Sequence, residues 1–455
     1  MITAWCCCSL SLNAQLMAPS HRMRAVVAGG GIGGLTLATA LGAAGWEVDV
    51  VERTTNFRSF GGPIQLASNA LATLQHLDPS LLEEVLASDC VRTGDRSNGL
   101  KVLATNDWLA EFDLSLPAVR RGLPLTVVVE RPHLQRTLLK RLQHGSVRLG
   151  RSVERYELEE NHTVSVSLDN GEQISCDVLV GADGIWSSVR AQMHHTPRMS
   201  ATYSRYRVFA AVCECVPADV KRVGYKVHVD VNKYFVTCDV GGGRIQWYAF
   251  VAMDEEATIE EEPSALLSWL RDEFGMNTEA AELLEATQAS MVEHRPVYDR
   301  PPDVWNGWVD GRVALLGDAA HPMMPNLGQG GCMAIESAAV LADELARVAN
   351  PAQLPAALHR YQQRRLIRVA IVHGLSRAPA ELLRWWPQDG RFLGLIPERY
   401  FFLVLQPFLS FFFPLQFDFL YAWSENEMRA LARTVSSRNI YQPLGRVDKS
   451  DIRTE

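Results

Sequence analysis

A glycine-rich loop near the start of the chain has the spacing of a dinucleotide-binding loop. Gly29, Gly31 and Gly34 follow the pattern G-x-G-x-x-G, and Gly33 lies inside it. In this pattern the first glycine permits a tight turn, the second lets the backbone approach a pyrophosphate, and the third lets a helix pack closely on a strand. The phosphates then lie at the N-terminus of the helix, where backbone N–H groups are unpaired. The loop therefore predicts a pyrophosphate site.

The residues on either side of the loop supply the elements that such a site needs. Residues 25–28 are a short apolar run typical of a buried strand, residues 35–44 are an alanine- and leucine-rich helix, and residues 48–52 form a second strand. Strand, helix and strand in this order predict a parallel sheet. The carboxylate of Glu52, at the end of the second strand, can accept hydrogen bonds from ribose hydroxyls. We expect Glu52 and the adjacent Arg53 to contact the ligand.

A second strand–loop–helix unit occurs late in the chain. The apolar strand 313–316 is followed by Gly317 and Asp318, and residues 332–345 are predicted to be a helix. A carboxylate at a strand end, such as Asp318, can accept a hydrogen bond from a ligand hydroxyl. The intervening loop holds further candidate binding residues: Pro322, Pro325, Gly328, Gly330 and Gly331. Glycines that open a helix let its positive N-terminal end approach an electron-rich ligand.

A third apolar segment, residues 176–184, reads as a strand that ends in a turn at Asp183, and Arg190 follows shortly after. Asp183 is a candidate ligand-binding residue. Considered by themselves, Asp183 and Arg190 are better interpreted as a structural ion pair.

Composition places the chain among ordinary globular proteins and narrows its partners. The 455 residues are 47% hydrophobic and 21% charged, which is enough to build a sizeable core. The net charge of -8 gives no basic face, so we expect no nucleic-acid partner. The nine cysteines are scattered, which favours a reducing compartment over a disulfide framework. Cys213 and Cys215 have no second pair nearby, so we predict no metal site.

The middle of the chain alternates apolar and polar residues, as strands do. Residues 146–175 alternate and turn at residues 169–171, as a hairpin would, and residues 225–250 alternate around a glycine turn at residues 241–243. We therefore predict an antiparallel sheet separate from the parallel one. Within it, Gln246 and Tyr248 fall on the opposite face from Trp247. Some of these side chains are expected to face a substrate, with core packing as the alternative.

The two ends of the chain are unusual in composition. Residues 1–22 contain no Asp or Glu, and their basic residues come last, which argues against a secretory signal. A targeting remnant and a start at Met23 both stay open. Residues 392–419 hold nine of the sixteen phenylalanines, but Pro407 and Pro414 interrupt any membrane span. This segment is predicted either to dip into a bilayer surface or to pack as a terminal helix on the core.

Taken together, the three motif segments resemble, in order, the flavin fingerprint, the Asp-Gly motif and the Gly-Asp motif of the single-component flavoprotein monooxygenases, the aromatic-hydroxylase-like group. The resemblance covers residues 24 to about 361 and implies FAD as the cofactor. In that family an arginine that opens a helix contacts the FAD pyrophosphate, and Arg131 falls at that position. The resemblance also associates Asp183 with FAD and NAD(P)H, and we expect Asp318 to bind the ribityl chain.

The same resemblance implies an α/β fold. A Rossmann-like FAD-binding domain, of the glutathione-reductase or aromatic-hydroxylase type, is interleaved with a mixed-sheet substrate domain and followed by a helical C-terminal segment. The expected boundaries are residues 1–22 for an N-terminal extension, 23–190 for the first part of the FAD-binding domain with a substrate-side insert at about 71–124, 191–294 for the substrate domain, 295–350 for the second part of the FAD-binding domain, and 351–455 for the helical, phenylalanine-rich segment.

Several further segments resemble the zeaxanthin epoxidases within this family: residues 61–71, 94–100, 121–124, 241–250, 298–300 and 324–336. This closer resemblance implies a monooxygenase that uses O2 to epoxidise ring double bonds of a xanthophyll, zeaxanthin to antheraxanthin and violaxanthin, through a flavin C4a-hydroperoxide. Because the flavin carries the chemistry, we assign no catalytic side chain. Pro322, Pro325, Gln246 and Tyr248 are expected to shape the substrate pocket.

The resemblance also implies where the electrons come from and where the protein acts. Reduced ferredoxin or NAD(P)H is the expected donor, and the lipophilic substrate suggests peripheral contact with a membrane. The expected location is the plastid, at the thylakoid or envelope. Plant members carry a long transit peptide and a forkhead-associated domain, and we expect neither in these 455 residues.

Two other functions stay open. One is an NAD(P)H-dependent aromatic or terpenoid hydroxylase of the same family, since the family shares one core among several substrates. The other is a non-catalytic protein that keeps the fold and binds a prenyl or pigment ligand.

Overall fold

The computed structural model describes residues 22–57, 62–87, 90–160, 162–219, 221–384, 391–392, 396–397 and 406–422. The interpretations made for residues 1–21, and for the parts of the phenylalanine-rich and C-terminal segments beyond these ranges, lie outside the described residues.

A six-stranded sheet carries the glycine loop. Its strands are β1 (Arg24–Ala28), β2 (Glu47–Glu52), β8 (Val147–Leu149), β12 (Val178–Gly181), β18 (Val309–Asp310) and β19 (Val313–Leu315), in the order β18-β19-β12-β1-β2-β8. All pairs are parallel except β18 with β19. The predicted parallel sheet is therefore confirmed. Val26 and Val27 are fully buried, as expected for a strand covered on both faces.

The second large sheet is a seven-stranded mixed sheet. Its strands are β5 (Ser97–Val102), β6 (Trp108–Phe112), β13 (Thr202–Cys213), β14 (Val223–Asp230), β15 (Lys233–Gly241), β16 (Arg244–Ala252) and β17 (Glu293–Asp299), in the order β17-β13-β16-β15-β14-β5-β6. Only β14 and β5 pair in parallel. The predicted sheet and its turn at residues 241–243 are confirmed. An additional turn at Asn232, whose φ is +57°, divides the long alternating run.

The other strands in the described residues form three small sheets. The first consists of β3 (Pro63–Leu66), β4 (Val91–Arg92) and β7 (Val127–Glu130). The second consists of β9 (Val153–Leu158), β10 (Val164–Leu168) and β11 (Gln173–Cys176), and the third of β20 (Arg391–Phe392) and β21 (Ile396–Pro397). The hairpin predicted within residues 146–175 is the pair β10–β11, with Gly171 at a φ of +83° in the turn.

The helices pack around these sheets. They are α1 (Ile32–Ala43), α2 (Ser68–Leu77), α3 (Pro79–Leu86), α4 (Ser115–Arg120), α5 (Arg131–Leu139), α6 (Ser188–Met193), α7 (Pro263–Phe274), α8 (Thr278–Glu285), α9 (Gly330–Ala346), α10 (Leu354–Arg384) and α11 (residues 406–422). Helices α7 and α8 cover one face of the seven-stranded sheet, through a core that includes Phe209, Phe235 and Trp247. Within the described residues, no helix is long and apolar enough to cross a membrane.

A buried ionic cluster joins four of these helices. Glu336 on α9 is fully buried and accepts hydrogen bonds from Arg365 and Arg368 on α10, each at 2.8 Å. Asn69 on α2 donates to the same carboxylate at 2.7 Å. Arg368 also donates to the carbonyl oxygen of Leu420 at 2.9 Å. The cluster therefore attaches the end of α11 to the body of the protein.

Candidate functional site

The glycine loop between β1 and α1 shows why each glycine is needed. Gly29 has a φ of +112°, and a methyl group there would overlap the carbonyl oxygen of Ala182. A methyl group on Gly34 would overlap the carbonyl oxygen of Gly29. No atom lies within 4 Å of the corresponding position at Gly31. The first and third glycines are thus required by the packing of the protein itself, whereas the second faces open space in which a ligand can approach the backbone.

The acidic residue at the end of β2 lies against this loop. One carboxylate oxygen of Glu52 accepts the Gly30 N–H at 2.6 Å, and the other accepts the Thr54 N–H at 2.9 Å. Glu52 is therefore held at the edge of the loop, where a ribose would lie beside a bound pyrophosphate. Arg53 is exposed, and neither Glu52 nor Arg53 lines the cavity described below.

The second glycine-rich segment approaches the first from the opposite side. Gly317, with a φ of +61°, opens a short 3-10 turn after β19. A methyl group on Gly33 would stand 3.1 Å from the Cβ of Ala334, so α1 and α9 pack closely. The carboxylate of Asp318 faces the cavity. The surrounding protein atoms reduce the hydration of this carboxylate and so raise its pKa, whereas the positive charge of nearby Arg131 lowers it. Asp318 and Arg131 are thus brought together at the predicted cofactor site.

The loop that leads into α9 forms part of the same wall. Gly328 adopts a left-handed φ of +61°, and Pro325, Gly330 and Gly331 line the cavity beside it. Pro322 does not line the cavity. It is buried, and its carbonyl oxygen accepts the backbone N–H of Arg300 at 3.2 Å.

The segment around Asp183 is arranged differently from a simple ion pair. Asp183 accepts hydrogen bonds from the Ser188 N–H at 2.8 Å and the Ser188 hydroxyl at 3.1 Å. The guanidinium of Arg190 points to the carbonyl oxygen of Ala319 at 3.4 Å instead. Burial, together with the charge of Arg300, lowers the pKa of Arg190 to about 10. The expected Asp183–Arg190 ion pair is therefore not present. The other oxygen of Asp183, Oδ1, is buried with no hydrogen-bond partner among the described residues.

One continuous cavity of about 920 Å³ connects the glycine loops with the seven-stranded sheet. We call its glycine-rich side, formed by residues 31–34, 317–318, 328 and 330–331 with Arg131, the cofactor wall. Its other side, the substrate wall, consists mainly of apolar side chains from β5, β6, β14, β15, β16, α10 and α11: Leu100, Leu109, Phe112, Tyr225, Val227, Val229, Tyr234, Val236, Tyr248, Phe250, Leu375, Leu383, Phe408, Leu409, Phe412, Phe413 and Phe417.

Helix α11 contributes more to the substrate wall than the sequence predicted. Phe408, Leu409, Phe412, Phe413, Gln416 and Phe417 line the cavity, and their spacing places them on one face of a helix. Phe411 is 70% exposed and Leu415 is 52% exposed on the other face. The packing alternative therefore describes the cavity-facing side of α11, and the bilayer alternative stays a prediction for the exposed side. The recurrence of apolar residues at intervals of four was the signal that could have revealed the cavity-facing side.

Neighbouring residues on β16 lie on opposite faces of the sheet, as their alternation predicts. Gln246 and Tyr248 line the cavity, and burial raises the pKa of Tyr248 to about 12, so its hydroxyl stays protonated at neutral pH. Trp247 lies on the other face, in the core, where its indole N–H donates to the Thr287 hydroxyl at 2.9 Å. In the part of the chain that the structure describes, no group of three or more His, Cys, Asp or Glu side chains could hold a metal ion.

This architecture is that of an FAD-binding domain: a parallel sheet, an open glycine loop at a helix N-terminus, an acidic residue on the neighbouring strand and a second glycine-rich helix start. The sequence profile of the family described as "FAD binding domain" matches residues 22–374, and the chain belongs to this family. The residues present fit the cofactor, because the space over Gly31 is open and the carboxylate of Asp318 faces the same cavity.

Among curated proteins, the chain is similar to chloroplastic zeaxanthin epoxidases. That of Oryza sativa subsp. japonica is 41% identical over 373 residues, which cover 79% of this chain and 55% of the relative. That of Spinacia oleracea is 41% identical over 374 residues, covering 80% of this chain and 54% of the relative. The chain thus spans about half the length of the curated relatives it matches.

Solved structures with the same fold include flavoproteins. Klebsiella pneumoniae HpxO complexed with FAD and uric acid superposes with a TM-score of 0.72 at 25% identity, covering 93% of this chain and 99% of that one. A salicylate hydroxylase substrate complex has a TM-score of 0.69 at 22% identity, covering 88% and 98% of the two chains. The second likeness shows the fold alone. The predicted fold class, an FAD-binding domain interleaved with a mixed-sheet domain, is confirmed.

Proposed function

We propose that this protein is an FAD-dependent monooxygenase that epoxidises the ring double bond of a xanthophyll. The observation that carries the proposal is that one continuous cavity has both a cofactor wall that suits FAD and a substrate wall that is apolar over several strands and two helices. The 41% identity to relatives named zeaxanthin epoxidase supports the choice of substrate.

The reaction balances with two electrons from outside the protein. An alkene, O2, two electrons and two protons give an epoxide and water. FAD, when bound and reduced, supplies the activation of O2 and the transfer of one oxygen atom. The protein binds and orients the two partners and excludes water, since a water-excluded site protects reactive species from unproductive loss. Phe250, Val236 and Phe413 are suited to hold an apolar ring system in this way.

The charges around the cavity favour an apolar substrate over a small anionic aromatic acid. Two arginines line the cavity, Arg131 on the cofactor wall near Asp318 and Arg295 beside the substrate wall, and both are exposed, so neither is a buried cation among the apolar side chains. A hydroxylase for an aromatic acid would gain from a fixed cation beside its substrate. We propose the plastid as the location, because the relatives are named chloroplastic. We propose reduced ferredoxin or NAD(P)H as the electron donor, as the family resemblance implies.

The experiment that tests this function is turnover. The purified protein is loaded with FAD, mixed with pigment-bearing vesicles, O2 and a ferredoxin reducing system, and the pigments are separated by chromatography. We expect mono-epoxide to appear first and di-epoxide later. If FAD is bound and reducible, zeaxanthin is unchanged, and a phenol accelerates reduction by NADPH and is hydroxylated, the epoxidase proposal is wrong and the hydroxylase alternative replaces it.

We further propose that the outer face of α11 contacts a membrane, from which the pigment reaches the cavity. Phe411 and Leu415 are exposed there, on the same helix whose other face lines the cavity. Apolar side chains exposed on one helix face favour burial in the interfacial region of a bilayer. On this proposal, one face of α11 contacts the membrane and the other face contacts the bound pigment.

Charges at Phe411 and Leu415, introduced as Phe411→Asp and Leu415→Asp, are expected to abolish flotation with phosphatidylcholine vesicles and to leave FAD binding unchanged. Phe412→Asp is the matched control on the inner face. It should leave flotation intact and abolish pigment binding, because it places a carboxylate in the cavity. Flotation of a folded Phe411→Asp, Leu415→Asp variant at the wild-type level would rule out this membrane contact.

A further inference from the structure

Two glutamines line the apolar cavity, and each has one amide atom that finds no hydrogen-bond partner among the described residues. Gln246 lies on β16 and Gln416 on α11, and the two residues are 4% and 5% exposed. Among the described residues, the Oε1 of Gln246 and the Nε2 of Gln416 are buried and make no hydrogen bond. Buried polar groups in folded proteins are nearly always hydrogen-bonded, so the occupant of the cavity is the natural partner for both atoms.

The surroundings of both amides are otherwise apolar or aromatic. Gln246 stands opposite Cys238 on β15, which also lines the cavity. Gln416 follows Phe412 and Phe413 by one helical turn on the inner face of α11 and precedes Phe417. Gln406, on the same helix, is exposed and lies off the cavity wall. Packing alone would favour a hydrocarbon side chain at both buried positions, because an unpaired amide is costly to bury.

The two unpaired atoms have complementary chemistry. The Oε1 of Gln246 can only accept a hydrogen bond, and the Nε2 of Gln416 can only donate one. A hydroxyl group can donate to the first and accept from the second, which a hydrocarbon cannot do. We propose that Gln246 and Gln416 bind a hydroxyl group of the otherwise apolar substrate, and so select hydroxylated carotenoids over carotenes. This inference rests on the proposed function and adds to it two specificity-determining residues.

A site built to hydrogen-bond a hydroxyl rejects an analogue without it, because the amides are then left unpaired when the apolar ligand covers them. We expect each amide to contribute about tenfold to the preference for the hydroxylated pigment. Removing the amide by Gln246→Leu or Gln416→Leu should lower that preference by about the same factor, mainly by improving relative binding of the carotene.

The test measures equilibrium binding of zeaxanthin and of β-carotene to the FAD-loaded, oxidised protein in detergent micelles, together with kcat/KM for both pigments. We expect wild-type protein to prefer zeaxanthin, each leucine variant to lose about tenfold of that preference, and the Gln406→Leu control to keep it. Gln246→Met and Gln416→Met are further variants of similar volume, in case a leucine variant folds poorly.

Three results would overturn the inference. The first is a wild-type protein that binds both pigments equally, and the second is a pair of folded variants whose preference equals that of wild type. The third is a Gln246 variant that changes the absorption spectrum of bound FAD but not the preference, because the amide would then serve the flavin. Failure of the proposed function looks different: the binding preference is present and depends on the two glutamines, but neither pigment is epoxidised.

Discussion

The two walls of the cavity are built in different ways. The cofactor wall is mostly main chain, and its geometry depends on glycines whose missing side chains either avoid overlap, as at Gly29 and Gly34, or leave space, as at Gly31. The substrate wall is almost entirely side chain and is assembled from strands and helices far apart in sequence. A main-chain wall can bind the same cofactor throughout a family, whereas a side-chain wall can change its ligand by substitution.

The largest expected effect comes from the buried ionic cluster that joins α9 to α10 and α11. Glu336→Gln should lower the free energy of unfolding by about 3–5 kcal/mol, because it leaves Arg365 and Arg368 buried without a full counter-charge. Urea unfolding followed by circular dichroism measures this change. Arg347→Gln is the control: Arg347 is partly exposed, and its partner Asp343 keeps a second ion pair with Arg364, so the change should alter stability by less than about 1 kcal/mol.

The stability difference between wild type and Glu336→Gln should also depend on pH. The positive charges of Arg368 and Arg365 hold the pKa of Glu336 below its ordinary value, despite the opposing effect of burial. A carboxyl whose folded pKa is depressed contributes stability above its unfolded pKa and loses it as the pH falls through the folded value. The advantage of wild type should therefore be constant near neutral pH and shrink below about pH 4.3. A difference that stays constant down to pH 2 would contradict this assignment.

The next effect separates two roles of glycines in the loop between β1 and α1. Gly29→Ala should destabilise the FAD-free protein by about 2–3 kcal/mol or more, because of its φ of +112° and the overlap with Ala182. Gly31→Ala should leave the FAD-free protein within about 0.5 kcal/mol of wild type yet weaken FAD binding, since its methyl group would occupy the open space. Chemical unfolding and FAD titration by fluorescence distinguish the two. If Gly31→Ala binds FAD as tightly as wild type, the open space beside Gly31 is not the pyrophosphate site.

A smaller effect is expected at the carboxylate that faces the cavity. Asp318→Ala should raise the dissociation constant for FAD by about 10- to 100-fold, as for loss of a hydrogen bond to a charged group. Asp318→Asn keeps an acceptor oxygen and should recover part of the affinity. FAD titration is the measurement, and equal affinity of wild type and Asp318→Ala would remove Asp318 from the cofactor wall.

The smallest effect is expected just outside the cofactor wall. Arg53 is exposed and does not line the cavity, so Arg53→Ala should change FAD binding by less than about 0.5 kcal/mol. Arg131→Ala, its counterpart on the wall near Asp318, should weaken binding clearly. A large loss in Arg53→Ala would extend the cofactor site beyond the wall defined by the cavity.

The difference between the walls also explains how far the sequence could predict the structure. The glycine spacing and Glu52 depend on local geometry over a few dozen residues, so short motifs were enough to predict that part of the fold. The contact between Gly33 and Ala334 joins residues 301 positions apart and was implied only by resemblance. Composition alone did not reveal the role of α11. The recurrence of its apolar residues at intervals of four indicates one apolar helix face, but not that this face lines a cavity.

The Asp183–Arg190 segment shows a second limit. Opposite charges a short distance apart predict an ion pair, but the turn after β12 directs Asp183 to Ser188 and Arg190 to Ala319. Asp183 accepts hydrogen bonds from Ser188 at the start of α6, and Arg190 donates one to the carbonyl oxygen of Ala319, so the two charges do not pair with each other. Gln246 and Gln416 are a third case, since nothing local indicates that these two amides, 170 positions apart, share one cavity.

The most direct test of the account is isotopic. FAD-loaded protein is given zeaxanthin and ¹⁸O2 with a ferredoxin reducing system, and the pigments are analysed by mass spectrometry. If one oxygen atom of O2 is transferred to the alkene in the cavity, every epoxide group formed will contain one ¹⁸O atom. Unlabelled epoxide, or bound and reoxidising FAD with no labelled pigment at all, would contradict it.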